Sequence, residues 1–537
     1  MDRRKFLKTA GATALGANVL PFLKWVPAEA APAGVAVVVH GQTINSLDLH
    51  RKGTNRPSYQ ISVNCYDRLV SFGTKKMPDG SLSYDYSVIQ PDLAESWETT
   101  ADGKAMIFKL RKNAVFADGT PVTAHDVKWS LDRAVSLGGF PTVQMKAGSL
   151  EKPAQFVAVD DHTFKIMLIR PSKLTLPDLA VPVPFIINSK LVLKHATKDD
   201  PWGTEYLHRH TAGSGAYTVA RWDPGQQLVY ERNDKWTSGP LPGVKRVILR
   251  EVPSAATRRA LIERSDVDLS FGISDKDAKE LAAKKKLKVV STPIENCIYC
   301  LCPNLNFEPF KDRKVRQAVA WSVPYAEIFK VAAYEQGVPM WGGKSMTPAD
   351  IKWPQPFPYD TDHAKAKALL AETAYKNGFE TTLSINLSLS SWMEPAALLI
   401  QEGLAKIGIK TTIEKIPGAN WRSVLLKKDR PIHIASFGGW LNFPDYFFFW
   451  GYHGQNAVFN TMSYKNPKMD ALIDAARYDE DPAKYKKDVM DFIQIAMDEA
   501  PRIPLYQQIL DVGMQKNITG YTYWFHRQLD FRSIGKN

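Results

Sequence analysis

The hydrophobic residues of this chain follow two different periods, and each period predicts one type of secondary structure. Residues 35–39 form a short continuous apolar run, which is typical of a buried strand. Met106, Phe108 and Leu110 alternate with the residues between them, which predicts a strand with one face toward the core. Elsewhere apolar residues recur every three or four positions, the period of a helix face.

The clearest helical pattern begins at Thr123. Thr123 is a favourable N-cap, and Asp126 three residues later approximates a capping box. Val127, Leu131 and Val135 then place apolar side chains on one face at i, i+4 and i+8. A helix packed against the core is therefore predicted to start here.

Strand and helix patterns alternate in the later parts of the chain. Residues 246–252 predict a strand, 254–263 a capped helix and 267–271 a second strand, the order of a βαβ unit with parallel strands. The further predicted elements are a helix over 362–377 ended by Gly378, a strand over 383–389, a helix from 394 to 408, a strand over 409–416 and a long helix through 485–497. The predicted fold class is α/β.

Length and composition refine this picture. A chain of 537 residues exceeds what one hydrophobic core usually supports, so two or three domains are expected. The absence of low-complexity linkers in the sequence favours lobes joined by crossing strands. The net charge is +13, but Lys and Arg are scattered, so we interpret it as surface charge that favours anionic surfaces or ligands, with no nucleic-acid partner.

The first thirty residues predict an export signal. Arg3 and Arg4 begin a segment similar to the twin-arginine consensus, residues 10–23 are weakly apolar, and Ala28 and Ala30 frame an A-x-A cleavage site. The apolar run is too short for a retained membrane anchor, which needs about 20 residues. We expect a twin-arginine signal over residues 1–30 and a periplasmic protein.

Four cysteines raise the question of a metal site. Cys297, Cys300 and Cys302 have the spacing C-x2-C-x-C, while Cys65 stands alone. The apolar residues around the three predict a strand, on which Cys300 and Cys302 share one face and Cys297 points to the other. That arrangement disfavours one tetrahedral ion, so core packing is the preferred interpretation, and a disulfide stays open in an oxidising compartment.

Residues 436–450, reading SFGGWLNFPDYFFFW, are the densest aromatic stretch of the chain. Aromatic rings offer flat apolar walls, and polar groups among them fix the orientation of a bound molecule. The alternative is a buried strand followed by a core aromatic patch. The candidate ligand-binding residues are Gly438, Gly439, Trp440, Asn442, Phe443, Asp445 and, farther along, His453.

The sequence holds no persuasive catalytic constellation. Gly213, Ser214 and Gly215 match neither a nucleophile elbow nor a complete dinucleotide fingerprint, and a turn is the better interpretation. His208 and His210 lie among charged residues and predict a solvated loop rather than a metal site. We therefore expect no enzyme activity, no cofactor and no metal.

Residues 91–133 resemble the signature region of the family 5 extracellular solute-binding proteins, the peptide-, dipeptide- and nickel-binding receptors of ABC importers. The resemblance continues in the turn at 213–217, in residues 309–318, in the Asn466-Pro467 pair and in residues 504–506. It covers essentially residues 34–537, with several motifs in the family's order.

The resemblance implies a two-lobed periplasmic-binding-protein fold with an extra subdomain and a ligand cleft between the lobes. The implied first lobe is discontinuous, over 34–66, 190–270 and 496–537. The extra subdomain would cover 67–189, and the second lobe 271–495. A solute would be enclosed between the lobes by hinge closure.

The resemblance also implies a place for the ligand. Peptide-binding relatives read approximately G-W-x-x-D-x-x-D-P here, and the first Asp pairs with the peptide's α-amino group. Gly439 and Trp440 match the G-W, while Asn442 stands at the amine-binding Asp and Asp445 at the second. An amide accepts a hydrogen bond from an ammonium without neutralising it, so recognition of a free amine stays open unless Asp445 takes that role.

The resulting expectation is a receptor for a peptide or peptide-like amphiphilic solute, stacked on Trp440 and Phe443. Its implied partners are a membrane permease and its ATPases, and it is expected to be a monomer. A nickel-chelate receptor or a receptor for opines or amino-acid conjugates is the alternative within the family. An exported peptide hydrolase is a more distant alternative, since it would need a nucleophile-base pair or a metal triad.

Overall fold

A computed structural model describes residues 34–456 and 458–537. The predicted export signal at residues 1–30 lies outside these residues. Within them, no helix has the length and apolar character needed to cross a membrane.

The described chain alternates strands and helices, with four short 3-10 segments and four two-residue strands among them. The strands are β1 (Val35–His40), β2 (Val70–Lys76), β3 (Leu82–Pro91), β4 (Ala94–Thr99), β5 (Ala105–Leu110), β6 (Phe156–Asp160), β7 (Thr163–Met167), β8 (Tyr217–Asp223), β9 (Gln227–Arg232), β10 (Arg246–Glu251), β11 (Leu269–Phe271), β12 (Lys288–Pro303), β13 (Val338–Pro339), β14 (Phe379–Asn386), β15 (Ile409–Ile416), β16 (Ile432–Gly438), β17 (Ile503–Met514), β18 (Ile518–Thr519), β19 (Thr522–Tyr523) and β20 (Gly535–Lys536). The helices are α1 (Gln60–Cys65), α2 (Ala124–Ser136), α3 (Gly139–Ala147), α4 (Thr175–Asp178), α5 (Ser189–Leu193), α6 (Thr204–Arg209), α7 (Ala255–Glu263), α8 (Asp275–Lys284), α9 (Glu308–Lys311), α10 (Arg313–Ser322), α11 (Tyr325–Val331), α12 (His363–Ala371), α13 (Ser390–Ala405), α14 (Gly418–Lys427), α15 (Pro444–Gly451), α16 (Pro467–Tyr478) and α17 (Pro482–Glu499).

One long sheet runs through both halves of the molecule in the order β15-β14-β16-β12-β17-β11-β1-β10-β9-β8, with β13 paired to β17. At one end, β1 pairs in parallel with β10 and β11, as the predicted βαβ unit requires. At the other end, β14 pairs in parallel with β15 and β16. We call the half with β1 and β8–β11 the first lobe and the half with β14–β16 the second lobe.

Strands β12 and β17 cross from one lobe to the other. The start of β12 pairs with the end of β17 beside the first lobe, and the end of β12 pairs with β16 in the second. The β12–β17 register shifts between Pro293 and Ile298, where the strands pass between the lobes. A shift of this kind marks a local bend of the ladder. The α/β, two-lobed fold expected from the sequence is confirmed.

A separate four-stranded sheet, β4-β5-β7-β6, carries α2 on its surface and is followed by α4. We call this sheet with α2, α3 and α4 the added subdomain. Its helix α2 begins as predicted, because the Asp126 carboxylate accepts hydrogen bonds from the Thr123 amide at 3.0 Å and hydroxyl at 2.8 Å. The domain boundaries implied by the resemblance stay a prediction.

The end of one helix and the end of one strand differ from the positions expected from the sequence. Helix α12 ends at Ala371 rather than 377, because the Thr373 hydroxyl donates to the Leu370 carbonyl and accepts from the Tyr375 amide, which replaces helical hydrogen bonds. Strand β14 ends at Asn386, whose side chain accepts from the Ser388 amide and turns the chain into a 3-10 segment.

The remaining predicted elements of the later half lie close to their expected positions. Helix α13 begins at Ser390, four residues before the expected start, and α17 extends from Pro482 to Glu499 because the Asp481 side chain caps its first turn. Strand β15 has the predicted bounds.

The three clustered cysteines lie on β12, as expected, and all four cysteines are buried free thiols. Cys300 and Cys302 face the core of the second lobe with their sulfur atoms 3.6 Å apart, while the Cys297 sulfur lies 3.5 Å from the Ser436 hydroxyl oxygen. Within residues 34–456 and 458–537, no group of three or more His, Cys, Asp or Glu side chains is arranged to hold a metal ion.

Candidate ligand-binding cleft

The aromatic stretch 436–450 lies where the two lobes meet. It begins at the end of β16, continues through a loop over residues 439–443, and enters α15 at Pro444, which suits the first turn of a helix. Because β16 pairs with the crossing strand β12, this loop opens toward the first lobe. The sequence pattern therefore combines both earlier interpretations: part of the stretch is core and part borders the cleft.

Two glycines in this stretch are required by close packing. A Cβ atom on Gly438 would lie 2.9 Å from the Cys297 sulfur, and one on Gly439 would lie 3.1 Å from the Tyr446 ring. The Asn296 side-chain amide also donates to the Gly439 carbonyl. The loop is thus held against β12 with its backbone next to the cleft.

A cavity of about 260 Å³ lies against this loop. Its walls come from the loop and α15 of the second lobe, from the Arg56–Tyr59 turn of the first lobe and from Phe140 of the added subdomain. The Trp440 ring meets Tyr59 edge-on at 5.0 Å and Phe140 at 4.8 Å between ring centroids. Aromatic rings from all three parts of the molecule therefore form one wall.

A second cavity of about 530 Å³ adjoins the first, and Arg56 lines both. It is bounded by the first-lobe segments after β1 and β11, by the start of α13 in the second lobe, and by residues 526–529 near the C-terminus. We call the two cavities together the chamber. Its position between the lobes matches the cleft that the sequence resemblance implies.

Four arginines line the chamber. The Arg258 guanidinium donates to the backbone carbonyls of Val252, Pro253 and Gly272, and the other three are Arg56, Arg422 and Arg527. In the described part of the chain, the guanidinium groups of these other three form no hydrogen bond or salt bridge, and Arg422 lies 5.6 Å from the centre of the Phe459 ring. Arg56 is exposed to the space of the chamber between the lobes. Loss of hydration between the chamber walls, together with the charges of Arg527 and Arg422, lowers the pKa of Arg56.

Two carboxyl groups also line the larger cavity. Burial raises the pKa of Asp275 to about 7, against the opposing effect of Arg527. Burial likewise raises the pKa of Asp511 to about 7, although the Ser291 hydroxyl donates to it. Near neutral pH both carboxyl groups are partly protonated, so the arginines dominate the charge of the chamber.

Several polar atoms at the chamber wall have no partner within the described residues. They are the Tyr59 hydroxyl, the Gln60 and Gln528 side-chain oxygens and both ring nitrogens of His526. Burial and the neighbouring arginines lower the pKa of His526 well below its ordinary value, so the ring is neutral and has one donor and one acceptor. Buried polar groups without partners are costly, which makes them suited to a ligand.

Of the sequence candidates, the structure brings Gly438, Gly439 and Trp440 to the chamber wall. Asn442 lies beside it and donates to Glu295 at 3.4 Å. Phe443 is half-buried against the core of the first lobe. The identification of these residues as ligand contacts stays a prediction.

Asp445 and His453 lie away from the chamber wall. The Asp445 carboxylate is fully buried, accepts a hydrogen bond from the Tyr485 hydroxyl at 2.8 Å and lies 3.5 Å from the Lys173 ammonium of the added subdomain. The His453 ring is 3.3 Å from the Asp474 carboxylate on α16. Both side chains are thus already occupied by protein partners.

The sequence interpretation did not include Arg56, Arg422 or Arg527. Each is a single basic residue in a turn or an exposed helix, separated from the others by more than a hundred positions. The structure adds one feature of the backbone: His526 and Arg527 both have positive φ values, of 50° and 66°. Non-glycine residues in this conformation are uncommon and cluster at functional sites.

Comparison with known proteins shows the family to which the chain belongs. The chain is 31% identical to a probable D,D-dipeptide-binding periplasmic protein of Escherichia coli (strain K12), over 87% of each protein. It is 29% identical to a glutathione-binding protein of Salmonella choleraesuis (strain SC-B67), over 85% of this chain and 88% of that protein.

Among solved structures, the periplasmic binding protein AgaA from A. tumefacien R10, in complex with agropinic acid, is similar with a TM-score of 0.75 and 25% identity, covering 94% of this chain and 99% of that one. The family model of the bacterial extracellular solute-binding proteins, family 5 Middle, matches residues 88–459. The chain therefore belongs to the bacterial extracellular solute-binding proteins of family 5.

Proposed function

We propose that this solute-binding protein captures a peptide or peptide-like solute in the chamber and delivers it to the membrane permease of an ABC importer. The observation that carries the proposal is the chamber itself, enclosed between two lobes and lined by both aromatic rings and unpaired polar groups. Such a combination suits a small amphiphilic molecule with several hydrogen-bonding groups.

The relatives support the same solute class. The names of the two curated relatives specify a D,D-dipeptide and glutathione, and the similar solved structure holds agropinic acid. We extend this class to the present chain, as a peptide or an amino-acid conjugate. A nickel chelate is the alternative within the family, since its organic chelator would supply metal ligands of its own.

The lobes suggest how capture works. The crossing strands β12 and β17 connect the halves at a register shift, while the chamber walls come from both halves. Closure around a solute would bring the polar groups of the solute to the unpaired atoms of the wall and complete their hydrogen bonds. We propose that the solute is bound and released unchanged, by a monomer in the periplasm, and that the lobes' outer faces dock on the permease.

Isothermal titration with a library of dipeptides and tripeptides tests the proposal. Binding of at least one member is expected, without any change of that member in a parallel turnover assay. Silence across the whole library would contradict the peptide assignment, and turnover of a bound peptide would favour a hydrolase. Native mass spectrometry of the protein from its own cell envelope then identifies the natural solute.

A further inference from the structure

Three of the chamber's arginines come from distant parts of the chain. Arg56 belongs to the first turn after β1, Arg422 to α14 of the second lobe, and Arg527 to the segment near the C-terminus. Arg56 lines both cavities and feels the charges of the other two, so the three form one electrostatic group. The group therefore contains residues of both lobes.

The carboxyl groups of the chamber do not balance this charge. Asp275 and Asp511, each with a pKa of about 7, together hold about one negative charge at neutral pH. About two of the three positive charges thus have no compensation from the chamber wall, and Arg258, which donates to backbone carbonyls, adds a further positive charge. A single negative group on the solute would leave part of this charge unbalanced.

Arginine is also the side chain best suited to oxyanions. Its planar guanidinium group binds a carboxylate through two parallel hydrogen bonds, and such charge-assisted pairs are about twice as strong as neutral ones. Once the lobes close around a solute, these interactions would be less screened than at the open surface. The neutral His526 ring and the Tyr59 hydroxyl add donors beside the arginines.

We propose that the solute carries at least two carboxylate groups, one bound between Arg56 and Arg422 beside the aromatic wall, and the other at Arg527 in the larger cavity. This inference rests on the proposed function and specifies its solute. Arg422 comes from the second lobe and Arg56 from the first. The dianionic solute therefore links the lobes and offsets the repulsion between the arginines, which opposes closure.

The test compares two isosteric dipeptides, L-alanyl-L-glutamate and L-alanyl-L-glutamine, which differ by one carboxylate. Isothermal titration at constant ionic strength is expected to show binding of the glutamate peptide at least about tenfold tighter, the effect of one charged hydrogen-bonded pair. The Arg422→Gln variant should reduce this ratio to about three or less. Arg313→Gln is the control, because Arg313 forms an exposed ion pair with Asp498 and its loss should leave the ratio unchanged.

The outcomes separate this inference from the proposed function. Equal binding of both peptides, or tighter binding of the glutamine peptide, overturns the dianion while leaving a peptide receptor. If neither peptide binds, the library titration decides the peptide assignment, and thermal shift with succinate and glutarate decides whether the solute is a dianion. A rise in melting temperature that persists in Arg313→Gln and disappears in Arg422→Gln supports a dianionic solute. No rise in the wild type overturns it.

Discussion

Trp440 shows how one residue connects the parts of the cleft. It comes from the second lobe, is 6% exposed, and its ring meets Tyr59, Phe140 and Phe525 edge-on. Those three partners belong to the first lobe, the added subdomain and the C-terminal segment. The ring therefore lines the chamber and also packs between the lobes. Its contributions to solute affinity and to the free energy of unfolding can be measured separately.

Replacing Trp440 with alanine should lower the free energy of unfolding by about 3 kcal/mol, because a large buried ring leaves a cavity. It should also weaken the binding of any peptide found by titration at least about tenfold. The Trp440→Phe variant keeps a ring against Tyr59 and should retain most of the stability. Urea denaturation and titration of both variants provide the measurement, and unchanged affinity in Trp440→Ala would remove this residue from the site.

The chamber carboxyl groups predict a pH dependence of anion binding. Asp275 and Asp511 have pKa values of about 7, raised mainly by burial, with Arg527 and Ser291 opposing the rise. A bound anion favours their protonated forms and raises both pKa values further, so protons are taken up on binding. Affinity for L-alanyl-L-glutamate should therefore rise as the pH falls from 8 to 6.

Titration at both pH values checks this expectation. The carboxylates of the peptide stay ionised in this range, since their ordinary pKa values lie near 4, whereas its α-amino group has an ordinary pKa near 8. The contribution of the chamber is therefore the difference between the profiles of the wild type and of a variant without one chamber carboxyl group. The Asp511→Asn variant should flatten the profile, because one of the two titrating groups is gone. Affinity that falls between pH 8 and 6 would mean that these carboxyl groups bind an ammonium instead.

At the scale of elements, helix α15 joins the second lobe to the added subdomain. The Tyr446 hydroxyl donates to the Gln144 side chain of α3 at 2.7 Å, and Gln144 in turn donates to the buried Asp178 of α4 at 2.6 Å. One residue earlier, Asp445 faces Lys173. Asp445, which the resemblance aligned with the second Asp of the motif, thus belongs here to the contact between subdomain and lobe.

Replacing Lys173 with methionine should destabilise the protein by about 3 kcal/mol, because it leaves the fully buried Asp445 carboxylate without its cation. The Asp445→Asn variant should cost less, since its amide still accepts from the Tyr485 hydroxyl. The double variant should be more stable than the two single effects predict by addition. Urea denaturation of the three variants gives this coupling energy, and simple additivity would show that the pair does not interact.

At the scale of the whole molecule, two lobes share a continuous sheet, and among the strands of residues 34–456 and 458–537, β12 and β17 cross between them. Each lobe has its own hydrophobic core, while Trp440, Leu441 and Tyr446 of the second lobe pack into the core of the first. A structure of this kind bends most easily at the register shift between Pro293 and Ile298, where the ladder is interrupted.

A binding peptide should therefore make the molecule more compact. Small-angle X-ray scattering should show a smaller radius of gyration with saturating peptide than without it, because the solute adds contacts to both lobes. Arg422→Gln without peptide should match the unliganded wild type, which controls for an effect of the substitution alone. An unchanged radius in wild type would show that the protein is already closed without its solute.

The sequence by itself determined the elements whose signals are local. The apolar run of β1, the capping box of α2 and the βαβ order around α7 are visible as residue periods, and the structure has them. It also indicated the family and the place of Gly438, Gly439 and Trp440, because these residues form one continuous motif. Element ends were less predictable, since the Thr373 hydroxyl ended α12 through a side-chain bond that has no periodic signal.

Only the tertiary structure decided the chemistry of the chamber. Arg56, Arg422 and Arg527 meet because β1, α14 and the C-terminal segment return to the same junction, and no local pattern records this. The same folding buried Asp445 against Lys173 and so removed it from the chamber wall. Local periods follow from backbone geometry, whereas a binding site is a set of long-range contacts that exists only once the lobes are assembled.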